Sequence, residues 1–335
     1  MIDKNARVVI TGANGFVARA LIHRLSEVGC EIRCVARSKK RARALASNYN
    51  ASLTIADICN EQAMEAAFSD ATHVFHLAAA FRNPRLETSE YRRVNLKGTQ
   101  TVARLAARQR TLERLVHVST TDIYGELSEI PADEESACEP QNAYERSKLE
   151  GEKWLSGFAR EKDLPHTILR PCTIYGPGDG RLLRFFRMID RPTTPMPGTA
   201  NNHHQLAHID DLTTVLIECA THADALNNTF IYGDQQALTL REINSCIGVH
   251  SGRGNNLKLL PVKPTQWLVK GGEYVAQKLN LTLPIHPEEM RFFTEKRVFS
   301  TEKIQDALQL RLRWDTNPKA GLIATYDWYK EQQWL

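Results

Sequence analysis

The chain has 335 residues, 42% of them apolar and 24% charged, a balance ordinary for a globular protein and unlike that of a disordered or fibrous one. Its formal net charge of +4 is small, and the basic residues are dispersed except at Lys39, Lys40, Arg41 and Arg43, so the charge pattern gives no reason to expect a nucleic-acid partner. With no long apolar stretch to act as a signal or membrane span, and seven cysteines in no CxxC pair, a cytoplasmic location, reduced thiols and no metal site are expected.

At roughly 100–200 residues per domain this length implies two structural parts. From the N-terminus, short β-rich runs alternate with amphipathic stretches, the pattern of a parallel sheet covered by helices on both faces. Strands are expected at Arg7–Thr11, Glu31–Ala36, Ser52–Ile55, His73–Leu77, Arg114–Ser119 and Thr167–Arg170. Between the first two, Val17, Ala20, Leu21, Leu25 and Val28 share a helical face, and Gly29 stands where a helix ends in a left-handed residue. After Arg170-Pro171 the pattern turns irregular. Gly176, Pro177, Gly178 and Gly180 precede a helix, and Pro192, Pro195, Pro197 and Gly198 read as a loop. A helix and a further strand, Thr229–Tyr232, look like a return to the sheet before a mostly helical C-terminal stretch.

The fold class expected is therefore α/β: a Rossmann-type doubly wound parallel sheet with a smaller, mostly helical C-terminal substrate-binding part. Residues 1–172, with 206–235 returning to the sheet, form the dinucleotide-binding domain. Residues 173–205 and 236–335 form the substrate-binding part.

The turn Thr11-Gly12-Ala13-Asn14-Gly15-Phe16-Val17-Ala18 leaves the first strand and opens the first helix. In that context Gly12 permits the tight turn, Gly15 lets the backbone approach a pyrophosphate, and the helix N-terminus offers free N–H groups to the anion. Gly12, Asn14, Gly15, Phe16 and Val17 are accordingly assigned to the cofactor. At the end of the second strand an acid would hold a free ribose 2′-hydroxyl and an arginine would accommodate a 2′-phosphate. The run Ala36-Arg37-Ser38-Lys39-Lys40 contains no acid, so Arg37 favours NADP(H), with NAD(H) as the alternative.

Tyr144 and Lys148 are four residues apart, on one face if the segment is helical. A phenol titrates near 10, too high for proton transfer at neutral pH, and a neighbouring cation would lower it. By itself such a pair is more often a surface contact than a catalytic one, and it is the placement after the fifth strand that points to the latter. The fifth strand ends in Ser119-Thr120-Thr121, hydroxyls that would point into the crevice where such sheets bind ligands, or that simply form a turn.

Taken together, Thr11-Gly12-x-x-Gly15-x-x-Ala18, His76-Leu77-Ala78-Ala79, Ser119-Thr120-x-x-Ile123-Tyr124-Gly125, Tyr144-x-x-x-Lys148 and Leu169-Arg170-Pro171-x-x-Ile174-Tyr175-Gly176-Pro177-Gly178 resemble the extended short-chain dehydrogenase/reductase superfamily, also called the NAD-dependent epimerase/dehydratase family. The resemblance implies Thr120 as the substrate-orienting hydroxyl, Tyr144 as the acid/base and Lys148 as the ribose-binding partner of Tyr144. It also implies Asp57 and Ile58 near the adenine, Leu77, Ala78 and Ala79 along the cofactor, and Pro171 and Thr173, flanking Cys172, beside the nicotinamide.

Where nucleotide-sugar epimerases of the family carry an Arg-Asp pair, this chain has His204-Gln205. Where the dehydratases carry Asp-Glu after the catalytic threonine, it has Thr121-Asp122. The run Gly178–Leu183 and the C-terminal region look more like the dihydroflavonol reductase and 3β-hydroxysteroid dehydrogenase branch. The expected activity is an NAD(P)(H)-dependent oxidoreductase acting on a mainly apolar small-molecule substrate, with a nucleotide-sugar epimerase as the alternative and a homodimer as an open possibility. Phe81, Phe185, Phe186, His203 and His204 are candidate pocket residues, and Arg82, Arg85, Arg181 and Arg184 are cations that could serve from loops; the apolar face of Trp267–Leu281 is expected to pack on the core, with contact to a lipid surface as the lesser alternative.

Overall fold

The computed structural model describes residues 2–83, 86–279 and 290–335; Arg85 and Leu281, and the side chains of Lys40 and Arg41, lie outside what it describes. The chain opens with β1 (Arg7–Thr11), α1 (Phe16–Val28), β2 (Glu31–Ala36), α2 (Lys39–Asn48), β3 (Ser52–Ile55), α3 (Glu61–Phe68) and β4 (His73–His76). Next come α4 (Thr88–Arg92), a π-helical turn (Arg93–Lys97), α5 (Gly98–Ala107), β5 (Arg114–Val118), α6 (Ala143–Lys162) and β6 (His166–Pro171). Together with the strand Asn228–Tyr232, these strands form a seven-stranded sheet in which β6 lies between that strand and β5, followed by β4, β1, β2 and β3. Its pairings are all parallel, so the carboxyl ends of β1, β4 and β5 share one edge, with the order reversing between β1 and β4. That reversal opens the crevice in which such sheets bind ligands.

Burial of both faces explains the near-continuous apolar strands. One cluster packs Val8, Ile10, Leu21, Ile22, Leu25 and Leu212 on one side, and another packs Val9, Val74, Val102, Leu105, Leu115 and Leu155 on the other. On α1 the buried face is Ala18, Leu21, Ile22 and Leu25, one step round from the expected stripe, and Val28 is exposed. The ridge over β1 is set by Ala18, whose small side chain is fully buried where helix and strand meet. Gly29 ends the helix at φ +79°, its N–H donating to the Ser26 carbonyl.

A third core joins Tyr175, Leu183, Phe186, Met196, Leu240, Ile247, Leu322, Tyr326 and Tyr329, all from beyond β6. Within it, Thr194–Pro197 is a strand rather than the expected loop, pairing in parallel with Leu257–Leu260. Pro195 and Pro197 have no N–H to give, but Thr194 and Gly198 donate to the Asn256 and Leu260 carbonyls at 2.9 Å each, so alternate residues suffice at a two-stranded edge. The helix Val262–Leu279 departs from expectation in its packing: Trp267 and Leu268 are 80% and 76% exposed. Helical periodicity marks an apolar side without saying what covers it. Among the described residues no helix is long and apolar enough to cross a membrane.

Candidate active site

The glycine turn forms a cradle that only a bare backbone fits. Gly12 has φ +72°, and a Cβ there would lie 2.7 Å from the backbone N and Cα of Ala78. The β4 exit, Leu77-Ala78-Ala79, is thereby drawn against the turn, and Ala78 N–H donates to Thr11 Oγ1 at 3.3 Å. Gly15 is the N-cap of α1 and has no side chain to cap it, so the first N–H groups of that helix remain available to an anion. Asn14 donates to the Ser38 carbonyl at 3.2 Å, fixing the turn to the end of β2, while its Oδ1 is buried without a partner in the chain. A cradle closed to any Cβ beside an orphaned acceptor fits the pyrophosphate and ribose of a dinucleotide. Phe16 covers one flank and Val17 is half-buried behind it.

At the far end of this groove Arg37 is exposed just past β2. The local run contains no acid, but the fold supplies two. Asp57 and Glu90 both lie within electrostatic reach of Arg37, and both carboxyls are held below their usual range, first by hydrogen bonds from Arg93. Arg37 therefore has acids in reach, contrary to what the run Ala36–Lys40 implies: the folded chain brings in, from just past β3 and from α4, what the adjacent sequence lacks. Ile58 is buried against Gly98, where a Cβ would come within 2.7 Å of Ile58 Cγ2.

The catalytic candidates sit at the carboxyl end of β5 and the start of α6. Asn142 caps α6 by accepting from Glu145 N–H at 3.0 Å, and Glu145 Oε2 accepts from Gln141 N–H at 2.7 Å. This reciprocal cap places Tyr144 in the first turn and Lys148 one turn on. Thr120 caps the 3₁₀ turn Thr121–Tyr124, accepting from Asp122 N–H at 3.1 Å. Tyr144 is buried, with Phe81 edge-on at 5.2 Å.

Burial raises the Tyr144 phenol above its ordinary value and the Asp122 carboxylate raises it further, against lowering by Arg82, Thr120 and Arg181. Lys148 is engaged elsewhere. Its Nζ donates to the Val118 carbonyl at 2.7 Å, and burial lowers its own pKa to about 8, opposed by Glu152. Pro171 and Thr173 flank Cys172 at the end of β6, where Thr121 donates to the Pro171 carbonyl at 3.3 Å.

The profile of the NAD dependent epimerase/dehydratase family matches residues 8–232, from β1 to the last strand of the sheet. The chain belongs to this family. Among curated proteins it is 26% identical over 244 residues to a UDP-glucose 4-epimerase of Vibrio cholerae, covering 70% of this chain and 73% of that one. It is also 26% identical over 324 residues to an uncharacterized protein of Sinorhizobium fredii, covering 96% and 78%. Among solved structures, the UDP-glucose 4-epimerase of Thermotoga maritima with UDP-glucose superposes with a TM-score of 0.79 at 20% identity, over 97% of this chain and 99% of that one. At that identity the likeness concerns the fold.

In this family member the region around Tyr144 is crowded with arginines that the sequence alone did not bring together. Arg82 pairs with Asp122 at 2.9 Å, Arg297 with Asp122 at 2.8 Å, and Arg291 with Glu145 at 2.9 Å and Glu295 at 2.7 Å. Arg181 pairs with Asp179 and lies over both Phe16 and Phe81 at 5.5 Å, linking the glycine turn to the ring beside Tyr144. Arg297 also reaches the Gly125 and Thr121 carbonyls, and its backbone bonds to His203 and Gln205. A fixed cation thus stands beside His204-Gln205 after all, supplied from 92 residues beyond Gln205.

Arg291 and Arg297 left no local signal, because a lone arginine in an irregular stretch looks like any surface residue. Of the expected pocket residues, Phe81 faces Tyr144, whereas Phe186 is fully buried against Tyr329 and belongs to the core. Phe185 packs on Phe292 and Phe293. His204 is buried against Phe292 with its pKa lowered by burial to about 3, which leaves it uncharged, and His203 is exposed.

Proposed function

We propose that this chain transfers a hydride between a nicotinamide and a carbonyl or hydroxyl carbon of a small-molecule substrate, with Tyr144 as acid/base, Thr120 orienting the reacting oxygen and Lys148 holding the nicotinamide ribose. The observation that carries this reading is the meeting of the Thr120 hydroxyl, the Tyr144 phenol and the Asp122 carboxylate at the carboxyl edge of the sheet, next to a turn shaped for a dinucleotide. The nicotinamide supplies or accepts the hydride when bound. Tyr144, kept protonated by burial and by Asp122, is suited to give a proton to the alkoxide that reduction creates. NADP(H) is the preferred cofactor on this reading, through Arg37, with NAD(H) also accepted because Asp57 and Glu90 offset that charge. The third core, from residues 173–205 and 236–335, forms the substrate-binding part, and the reaction takes place in the cytoplasm.

A second reading, a nucleotide-sugar epimerase, is supported by the convergence of Arg82, Arg181, Arg291 and Arg297 and by the epimerase relatives. Each of these cations already faces a carboxylate, four arginines against Asp122, Glu145, Asp179 and Glu295. A diphosphate would compete with those carboxylates everywhere except at Arg291 Nη2, which is buried without a hydrogen-bond partner among the described residues, and that competition keeps the reductase reading first. Incubation with NADPH and a panel of aldehydes and ketones, beside UDP- and dTDP-sugars, separates the two. Net NADPH oxidation by carbonyl compounds supports reduction. Interconversion of a sugar nucleotide with no net change in cofactor overturns it in favour of epimerisation.

A further inference from the structure

Four charged side chains gather at the adenosine end of the groove, and their geometry bears on how NAD(H) and NADP(H) compete there. Arg93 gives Nη1 and Nη2 to the two Asp57 oxygens at 2.9 and 3.1 Å, and Nε and Nη2 to the two Glu90 oxygens at 2.7 Å each. Four of the five N–H donors of a guanidinium are thereby used. Asp57 also accepts from Cys59 N–H at 2.9 Å, so its position is set by the backbone. Glu90 is held differently: it stands one turn before Arg93 and leans on it through side chains alone. Arg37 is within electrostatic reach of both carboxylates. The four charges, Arg37 and Arg93 against Asp57 and Glu90, sum to zero.

We propose that Glu90 is a specificity-determining residue: by occupying Arg93 it withholds the second cation that a ribose 2′-phosphate would recruit beside Arg37, and so limits the preference for NADP(H) over NAD(H). This rests on the reading that a nicotinamide dinucleotide occupies the groove. A bare 2′-hydroxyl meets a neutral set of charges and needs nothing moved. A 2′-phosphate, a dianion, gains from Arg37 but is opposed by Asp57 and Glu90, and it gains a forked contact only if Arg93 turns away from Glu90. The exchange is feasible because the side chains of Arg93 and Glu90 are 36% and 29% exposed, so their pair is partly screened and weaker than a buried one. A phosphorylated ribose would compete with Glu90 for the same donors. An unphosphorylated one would not.

The test uses the full chain and equilibrium titration with NAD⁺ and NADP⁺, read by calorimetry, for wild type, Glu90→Gln, and Glu90→Gln with Arg93→Gln. Glu90→Gln keeps the shape and removes one negative charge near the phosphate. The ratio of NADP⁺ to NAD⁺ affinity is expected to rise about tenfold at low salt and to shrink towards wild type as ionic strength rises. Adding Arg93→Gln should abolish the gain, because the benefit passes through that guanidinium. Binding of both dinucleotides with the ratio unchanged in Glu90→Gln overturns the role of Glu90 while leaving the cofactor reading intact. If wild type binds neither dinucleotide, it is the cofactor reading that falls. A gain that survives Arg93→Gln also counts against the proposal, since it would show a general charge effect rather than a released arginine.

Discussion

Around Gly12 and Gly15 the groove is lined by main chain: a turn at φ +72°, the free N–H groups of a helix start, and the backbone of Ala78 pressed against it. Around Tyr144 the contacts come from long charged side chains, with Arg82, Arg291 and Arg297 crossing to Asp122 and Glu145 from segments distant in sequence. The first region depends on shape and holds no titratable side chain at Gly12, Asn14, Gly15 or Ala78, so its geometry should change little with pH. The second is a set of partly buried ion pairs in which each charge sets the protonation of its neighbours, and it should respond to both pH and salt. On the proposed reading, the glycine-turn half serves any dinucleotide and the arginine-lined half carries the chemistry particular to this chain.

The largest effect expected belongs to the second region. Tyr144→Phe removes one oxygen from the proposed acid/base and should lower kcat by about 10²–10⁴-fold while leaving dinucleotide affinity nearly unchanged. A variant that keeps wild-type kcat would remove Tyr144 from the chemistry and leave the contrast without its active half. The matching test of the first region is Gly12→Ala. A methyl 2.7 Å from Ala78 on a left-handed backbone should cost about 2–4 kcal/mol of stability in urea unfolding and abolish dinucleotide binding. Unchanged stability and binding would mean that the turn is looser than its geometry.

Smaller shifts follow in pH dependence. Asp122 raises the Tyr144 phenol, so Asp122→Asn removes that push and leaves Arg82 and Arg297 uncompensated, and both changes lower it. A phenol acting as acid loses its proton as pH rises through its pKa. The alkaline limb of the kcat profile should therefore move to lower pH by about one unit, and a limb that stays in place would separate Asp122 from Tyr144. The smallest effect expected concerns Lys148, charged below about pH 8 and neutral above it. Dinucleotide affinity should weaken severalfold, roughly two- to fivefold, as pH rises through that value, through loss of an ammonium contact to the ribose. Lys148→Met should start weak and show no such step.

Much of the sheet is legible in the chain because its strands are short β-rich runs with marked ends, and burial on both faces leaves the inner ones, such as β1 and β4, little choice of conformation. The strands expected at Arg7–Thr11, Glu31–Ala36 and Ser52–Ile55 have the same bounds in the structure, and His73–Leu77 differs by one residue. The glycine turn and the Tyr144–Lys148 spacing can be read for the same reason: each is a local pattern whose geometry is fixed within one turn of chain. The strand at Thr194–Pro197 escaped because its prolines argue locally against a sheet, while its pairing depends on Leu257–Leu260 more than 60 residues away.

The sequence by itself determined the doubly wound α/β plan, the tight glycine turn and the spacing of the catalytic candidates, since hydrophobic period, glycine conformation and helical spacing act over a few residues. Only the tertiary structure decided which charges face one another. It turned Lys148 to the Val118 carbonyl, set Asp122 against Tyr144, brought Asp57 and Glu90 within reach of Arg37, and delivered Arg291 and Arg297 to the pocket. Coulomb interactions depend on distance through space rather than along the chain, so the electrostatics of the site became visible only once the fold had closed around it.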